Sequence, residues 1–83
     1  HRWTPLVRAA DGRPLGQVRD LRCDLRTGRI DALQVRLIVG RPAMRAAWFP
    51  AELAVYWGPE VLVLSIDHHA ALRPVTIPME HDV

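Results

Sequence analysis

The stretch LVRAADGRPLGQVRDLRCDLRTGRIDALQVRLIV, residues 6–39, decides the fold of this 83-residue chain. Its apolar residues recur at every second position along two long segments, which is the period of a half-buried strand and not of a helix. Residues 11–14 and 26–29 combine glycine with polar residues, and glycine adopts the positive φ of a tight turn at little cost. The stretch therefore predicts a short first strand followed by a long hairpin.

Two irregularities interrupt this alternation. Val18 and Leu21 are three positions apart, and so are Ile30 and Leu33. A β-bulge near Arg19-Asp20 would restore the first register, and the same slip predicts a second irregularity between Ile30 and Leu33. Because bulges bend a strand strongly, we expect the sheet to curl into a small barrel without open edges.

The rest of the chain predicts an all-β domain with one short helical turn. Its segments are a fourth strand at residues 46–49, the helical turn at 51–55, a tight turn at 57–60 and a last strand at 61–66. Pro50 ends the fourth strand, because proline cannot donate to a central ladder. The last strand is apolar on both faces, so residues 53–55, residues 70–78 or a partner must cover one of them.

The charges are unevenly distributed. Residues 1–45 carry a net charge of +6 with ten arginines, whereas residues 46–83 carry −4. A basic surface of this kind suits phosphates, lipid head groups or an acidic protein, and the alternative interpretation is a merely solvated face. No uncharged run approaches the roughly 20 apolar residues that span a bilayer. The single cysteine, Cys23, fits a reducing compartment, so we expect a cytoplasmic chain, with a peripheral position at the membrane as an alternative.

Over residues 5–66 the chain resembles the PRC-barrel family. The groups that carry this resemblance are Leu6-Val7, Asp11-Gly12, Leu15-Gly16-Gln17-Val18, Asp20-Leu21, Asp24, Thr27-Gly28-Arg29-Ile30, Leu33-Gln34-Val35, Phe49-Pro50 and Val61-Leu62-Val63. The length predicts a single domain over residues 1–83. The resemblance implies a compact barrel of about six strands over residues 5–66, followed by an extended tail at 67–83. The pattern is closest to the cytoplasmic barrel of the photosynthetic reaction-centre H subunit, and less close to the ribosome maturation factor.

The sequence offers no constellation of catalytic, cofactor-binding or metal-binding residues. His68 and His69 are adjacent and would point to opposite sides of an extended segment. Ser65 is the only serine and lies within a predicted strand, outside any Gly-x-Ser-x-Gly context. Cys23 alternates into the apolar face, so we expect it to be a small core residue. We therefore predict a chain that is not an enzyme and needs no cofactor or metal.

Candidate partner-binding residues lie on the expected outward side of the hairpin and on the fourth strand. They are Arg22, Arg26, Arg29, Arg36 and Trp48. Trp48 and Phe49 would point to opposite sides of an extended strand. The resemblance implies that Phe49 fills the barrel and that Trp48 lies outside, where either a partner or the chain's own tail covers it. In this interpretation Trp48 marks an apolar side near the last strand, separate from the arginines.

These observations predict a scaffold or adaptor that docks on a protein complex. A membrane complex of the reaction-centre kind is the first expectation. One alternative is an adaptor that binds a ribosomal protein or, less directly, RNA. The other is a homo-oligomer that self-associates through the outer face of residues 61–66.

Overall fold

The computed structural model describes residues 3–38 and 45–72. Its strands are β1 (Leu6–Arg8), β2 (Pro14–Asp24), β3 (Arg29–Leu37), β4 (Arg45–Pro50), β5 (Ala54–Trp57) and β6 (Val61–Leu64). A 3-10 turn (Ala51–Leu53) joins β4 to β5, and a short helix, α1 (His68–Leu72), follows β6. The predicted all-β class with six strands is confirmed. The extended tail expected from residue 67 instead begins with α1, and residues 73–83 lie outside the described residues.

All six strands belong to one sheet in the order β4-β3-β2-β1-β6-β5. Neighbouring strands are antiparallel, except that β1 and β6 run parallel. Within the described residues the sheet is open, with β4 and β5 as its two edges. The expected barrel without open edges is therefore not observed, because β4 and β5 do not pair with each other. The 3-10 turn joins these two edge strands with only three residues, so the end of β4 and the start of β5 lie close together and the open sheet is strongly curled.

Both predicted irregularities are confirmed in the β2–β3 ladder. Val18 pairs with Val35 and Asp20 with Gln34, which leaves Arg19 as the extra residue on β2. Further along the ladder, Arg22 pairs with Ala32 and Cys23 with Ile30, so Asp31 is the extra residue on β3. Each strand of the hairpin therefore contributes one bulge.

The predicted hairpin turns are also confirmed. Gly12 and Gly28 have φ values of 90° and 72°, a region in which side chains other than glycine are strained. In each turn an aspartate accepts a hydrogen bond from a main-chain N–H two residues later: Arg13 N to Asp11 Oδ1 at 3.1 Å, and Arg26 N to Asp24 Oδ1 at 2.9 Å. These bonds replace the ladder bonds that the turns cannot make.

The core lies between the inward face of the sheet and the segment that follows β6. Its fully buried or nearly buried residues are Val7, Ala9, Leu15, Val18, Leu33, Val35, Leu37, Phe49, Leu62, Leu64 and Ala71. Leu53 from the 3-10 turn and Leu72 from α1 pack against this cluster, which includes Leu62 and Leu64 of β6. The cover of the other face of β6, which carries the half-buried Val61 and Val63, stays a prediction. Asp67 begins α1 by accepting the Ala70 N–H at 2.7 Å, a typical role of aspartate at a helix start.

The end of the hairpin extends beyond this core. We call residues 23–30 the hairpin tip. The expectation that Cys23 is a core residue is wrong: it is a free, exposed cysteine. Cys23 does pair with Ile30 on the predicted face, but β4 ends opposite Ala32 and β1 pairs only with residues 14–17 of β2. Apart from β3, no strand therefore flanks Cys23 in the described part of the chain.

Candidate protein-docking face

One face of the β2-β3-β4 region collects most of the predicted partner-binding residues. Residues paired across antiparallel strands lie on the same face of a sheet. The paired sets are Gln17 with Arg36 and Ala46, Asp20 with Gln34 and Trp48, Arg22 with Ala32 and Pro50, and Asp24 with Arg29. We call this set the outer face. Phe49 points the other way and is buried, as predicted, while Trp48 is half-buried on the outer face.

The pairing of β4 with β3 corrects the expectation that Trp48 marks a surface separate from the arginines. Trp48 lies opposite Gln34 of β3, and Arg36 lies two residues after Gln34 on the same face of that strand. Side chains in such diagonal positions come within reach of one another when they are long or aromatic. Trp48 and Arg36 therefore form one surface.

Arg22 is held within the sheet by the bulged Asp31. Its Nε donates to Asp31 Oδ1 at 2.9 Å, and its Nη2 donates to Asp31 Oδ2 at 3.2 Å. This two-point arrangement matches the planar guanidinium to the planar carboxylate. Arg22 thus has a structural partner already, and Asp31 can make this bond because the bulge places it beside the β2 strand.

Arg26 lies in the turn, and its side chain is 88% exposed. Its Nη2 lies 3.5 Å from Asp24 Oδ2. The Arg26 main-chain N–H is the main reason why the pKa of Asp24 lies below its ordinary value of 3.8, and the Arg26 side chain adds to this effect. The Arg26–Asp24 contact thus helps to hold the turn.

Arg29 and Arg36 differ from these two because neither has an ion pair within the described residues. Both are exposed. Their guanidinium groups are therefore the cations of the outer face that can meet a partner's carboxylate without breaking an internal bond.

An open groove of about 610 Å³ lies beside Arg29. The hairpin lines one side of it with Arg22, Arg29 and Asp31, and the start of the 3-10 turn lines the other with Ala51 and Glu52. Ala32 and Pro50 add apolar surface. The groove thus combines an available cation with a small apolar wall, which suits a side chain or a short segment of a partner.

Sequence analysis missed three features of this region. The first is the pairing of Arg22 and Arg26 with aspartates, which the bulge and the turn bring about. The second is the groove, which forms because the 3-10 turn lies beside the hairpin. The third is the exposure of the hairpin tip, which results from the positions at which β1 and β4 end. Only the Asp24-x-Arg26 spacing in a predicted turn could have been found beforehand, because aspartate commonly bonds the main chain two residues on.

Comparisons with known proteins add no family to this description: no family model matches the chain, and no curated protein matches it. Residues 3–38 and 45–72 contain no cluster of three or more His, Cys, Asp or Glu side chains that could hold a metal ion. None of the helices in that same part of the chain is long and apolar enough to span a bilayer. Inference about function therefore depends on the outer face.

Proposed function

We propose that this chain is a non-catalytic docking module of the PRC-barrel type, whose outer face binds a protein partner. The observation that carries the proposal is that Trp48 and two arginines without internal ion pairs, Arg29 and Arg36, share one face beside an open groove. Tryptophan and arginine are the residue types most enriched among those that dominate interface energies.

The chemistry of the face favours an acidic segment of the partner. A guanidinium binds a carboxylate through two parallel hydrogen bonds, and neither Arg29 nor Arg36 has to give up an ion pair with a described residue to do so. A small apolar side chain next to the acid would enter the groove against Ala32 and Pro50. Trp48 would add apolar contact area at the other end of the face.

The resemblance to PRC barrels supports a docking role, and its closest setting, the reaction-centre H subunit, suggests a membrane complex as the partner. In that role the module lies in the cytoplasm, peripheral to the membrane. The ribosomal alternative is favoured by the ten arginines of residues 1–45. In that role the same arginines would meet RNA phosphates or an acidic surface on a ribosomal protein.

The test compares pull-downs from native membranes and from ribosomes. The variant carries Arg29→Gln, Arg36→Gln and Trp48→Ala, and the control carries Arg13→Gln, which removes an exposed arginine from the first turn. We expect the triple variant to lose roughly tenfold or more in partner affinity, since each hot-spot truncation costs about 2 kcal/mol. The control retains its affinity, and added salt weakens the wild-type complex.

The fraction that yields the partner decides between the membrane and ribosomal roles. Melting temperatures of all variants show whether Trp48→Ala acts through stability. Equal capture of the same partner by the wild type and a folded triple variant would show that the outer face is not the docking site.

A further inference from the structure

The groove beside Arg29 carries more acidic than basic side chains. Two arginines and three acids line it: Arg22, Arg29, Asp24, Asp31 and Glu52. This balance is opposite to that of the whole hairpin, in which arginines predominate. A side chain of a partner that enters the groove must therefore match an excess of acids as well as a cation.

Ion pairs within the hairpin account for most of the charges in the groove. Arg22 binds Asp31 through two hydrogen bonds, and Asp24 lies 3.5 Å from the arginine of the turn. Arg29 and Glu52 are both exposed, and neither has an ion pair within the described residues. Each can therefore pair with a charge of a partner without giving up such a contact.

Arg29 and Glu52 stand on opposite walls of the groove. Arg29 belongs to β3, whereas Glu52 belongs to the 3-10 turn. Ala32 and Pro50, which pair across β3 and β4, add apolar surface to the lining. Successive side chains of an extended segment point to opposite sides. A segment that runs along the groove would thus direct one side chain to Arg29 and the next to Glu52.

A basic side chain fits the Glu52 side of the groove. Lysine and arginine place their methylene stems along apolar surface while the charged end stays in water. Here the stem would contact Ala32 and Pro50, and the charged end would meet Glu52 at the open side of the groove. A second acid at this position would instead meet Glu52 as a like charge, which is unfavourable.

We propose that Glu52 is a specificity-determining residue of the outer face, and that the segment it selects carries an acid directly beside a lysine or arginine. The acid binds Arg29, and the basic side chain enters the groove and pairs with Glu52. This inference rests on the proposed function and narrows the class of segment that the face accepts. Segments that contain only acids are rejected, because they place a like charge against Glu52.

NMR titration of the full-length chain with blocked peptides measures this preference. Each peptide holds one pair between two alanines: Asp-Lys, Lys-Asp, Asp-norleucine or Asp-Glu. Norleucine keeps the apolar stem of lysine without its charge. We expect one order of the Asp and Lys pair to bind about threefold more tightly than the norleucine peptide, and about tenfold more tightly than the Asp-Glu peptide. Shifts of the main-chain amides that line the groove identify the site.

Variants of Glu52 assign the preference to this residue. Glu52→Gln should bind the lysine and norleucine peptides equally, and Glu52→Lys should bind the Asp-Glu peptide most tightly. The matched control is Glu60→Gln, which removes an exposed acid that does not line the groove and should keep the wild-type preference. Added salt should reduce the preference of the wild type. Melting temperatures show that each variant is folded.

Three results would overturn the inference. They are equal binding of the lysine and norleucine peptides to the wild type, an unchanged preference in folded Glu52→Gln, and no shift in the groove with any peptide. Arg29→Gln separates this failure from that of the proposed function. If it weakens every acid-containing peptide, acid docking at Arg29 stands although selection by Glu52 fails. If it weakens none of them, acid docking at Arg29 fails as well.

Discussion

The two ends of the β2–β3 hairpin have the same alternation of residues but different surroundings. At the hairpin root, which we define as residues 14–18 and 33–37, the inward apolar residues are fully or almost fully buried. At the hairpin tip, Leu25 is 92% exposed and Ile30 is 42% exposed. Alternation thus predicts the face on which a side chain lies, but not whether that face is covered.

The difference arises from what lies beside each end. β1 flanks the root on one side and β4 on the other, and the core residues of β6 and α1 lie over it. The tip extends past the last pairs of both β1 and β4. An apolar residue is removed from water only where a second layer or a neighbouring strand contacts it.

The largest expected effect comes from truncating one leucine at each end of the hairpin. Leu33→Ala should reduce the free energy of unfolding by about 2–5 kcal/mol, because it leaves a cavity in a closed core. Leu25→Ala should change it by less than about 0.5 kcal/mol. Urea unfolding of both variants measures the contrast. Similar losses would mean that the tip is packed in solution.

A smaller contrast is expected between two glycines. Gly16 lies at the root, where an added Cβ would overlap the carbonyl oxygen of Arg36, so Gly16→Ala should cost about 3 kcal/mol through overpacking. Gly28 has open space around it and only its positive φ to satisfy, so Gly28→Ala should cost about 1 kcal/mol. Thermal melts rank the two. The reverse order would contradict the close approach of β2 and β3 at Gly16.

The smallest expected effect concerns the aspartates of the two turns. The main-chain N–H of Arg13 lowers the pKa of Asp11, and that of Arg26 lowers the pKa of Asp24, both from 3.8. A lowered pKa stabilises the folded state above pH 3.8, and this contribution disappears as the pH falls through the folded pKa. NMR titration should place both midpoints below 3.8.

Asp24→Asn supplies the matching stability measurement. It should flatten the loss of stability below pH 3.8, since one titrating carboxylate is removed. Asp11 also receives the His68 N–H from α1 at 3.4 Å, so Asp11→Asn tests a contact between a turn and α1 that the tip lacks. Equal pH profiles for the wild type and Asp24→Asn would contradict the bonded turn.

Local patterns in the sequence determined much of this protein. The period of two, the glycine turns and the two slips at Val18 to Leu21 and Ile30 to Leu33 predicted the strands, the positive φ values and both bulges. The alternation also put Trp48 and Phe49 on opposite faces of β4, and Phe49 is the buried one. These features were predictable because each depends on residues within one strand or one hairpin.

Only the tertiary structure decided which strands meet and where the sheet ends. Pairing of β4 with β3 put Trp48 on the same face as Arg36, and the short β1 and β4 left Cys23 exposed. The open order β4-β3-β2-β1-β6-β5 gave the sheet two edges in its described part, β4 and β5. These outcomes depend on contacts between residues far apart in the chain. Apolar residues alternate with a period of two whether or not another part of the protein covers the strand, so the alternation does not reveal these contacts.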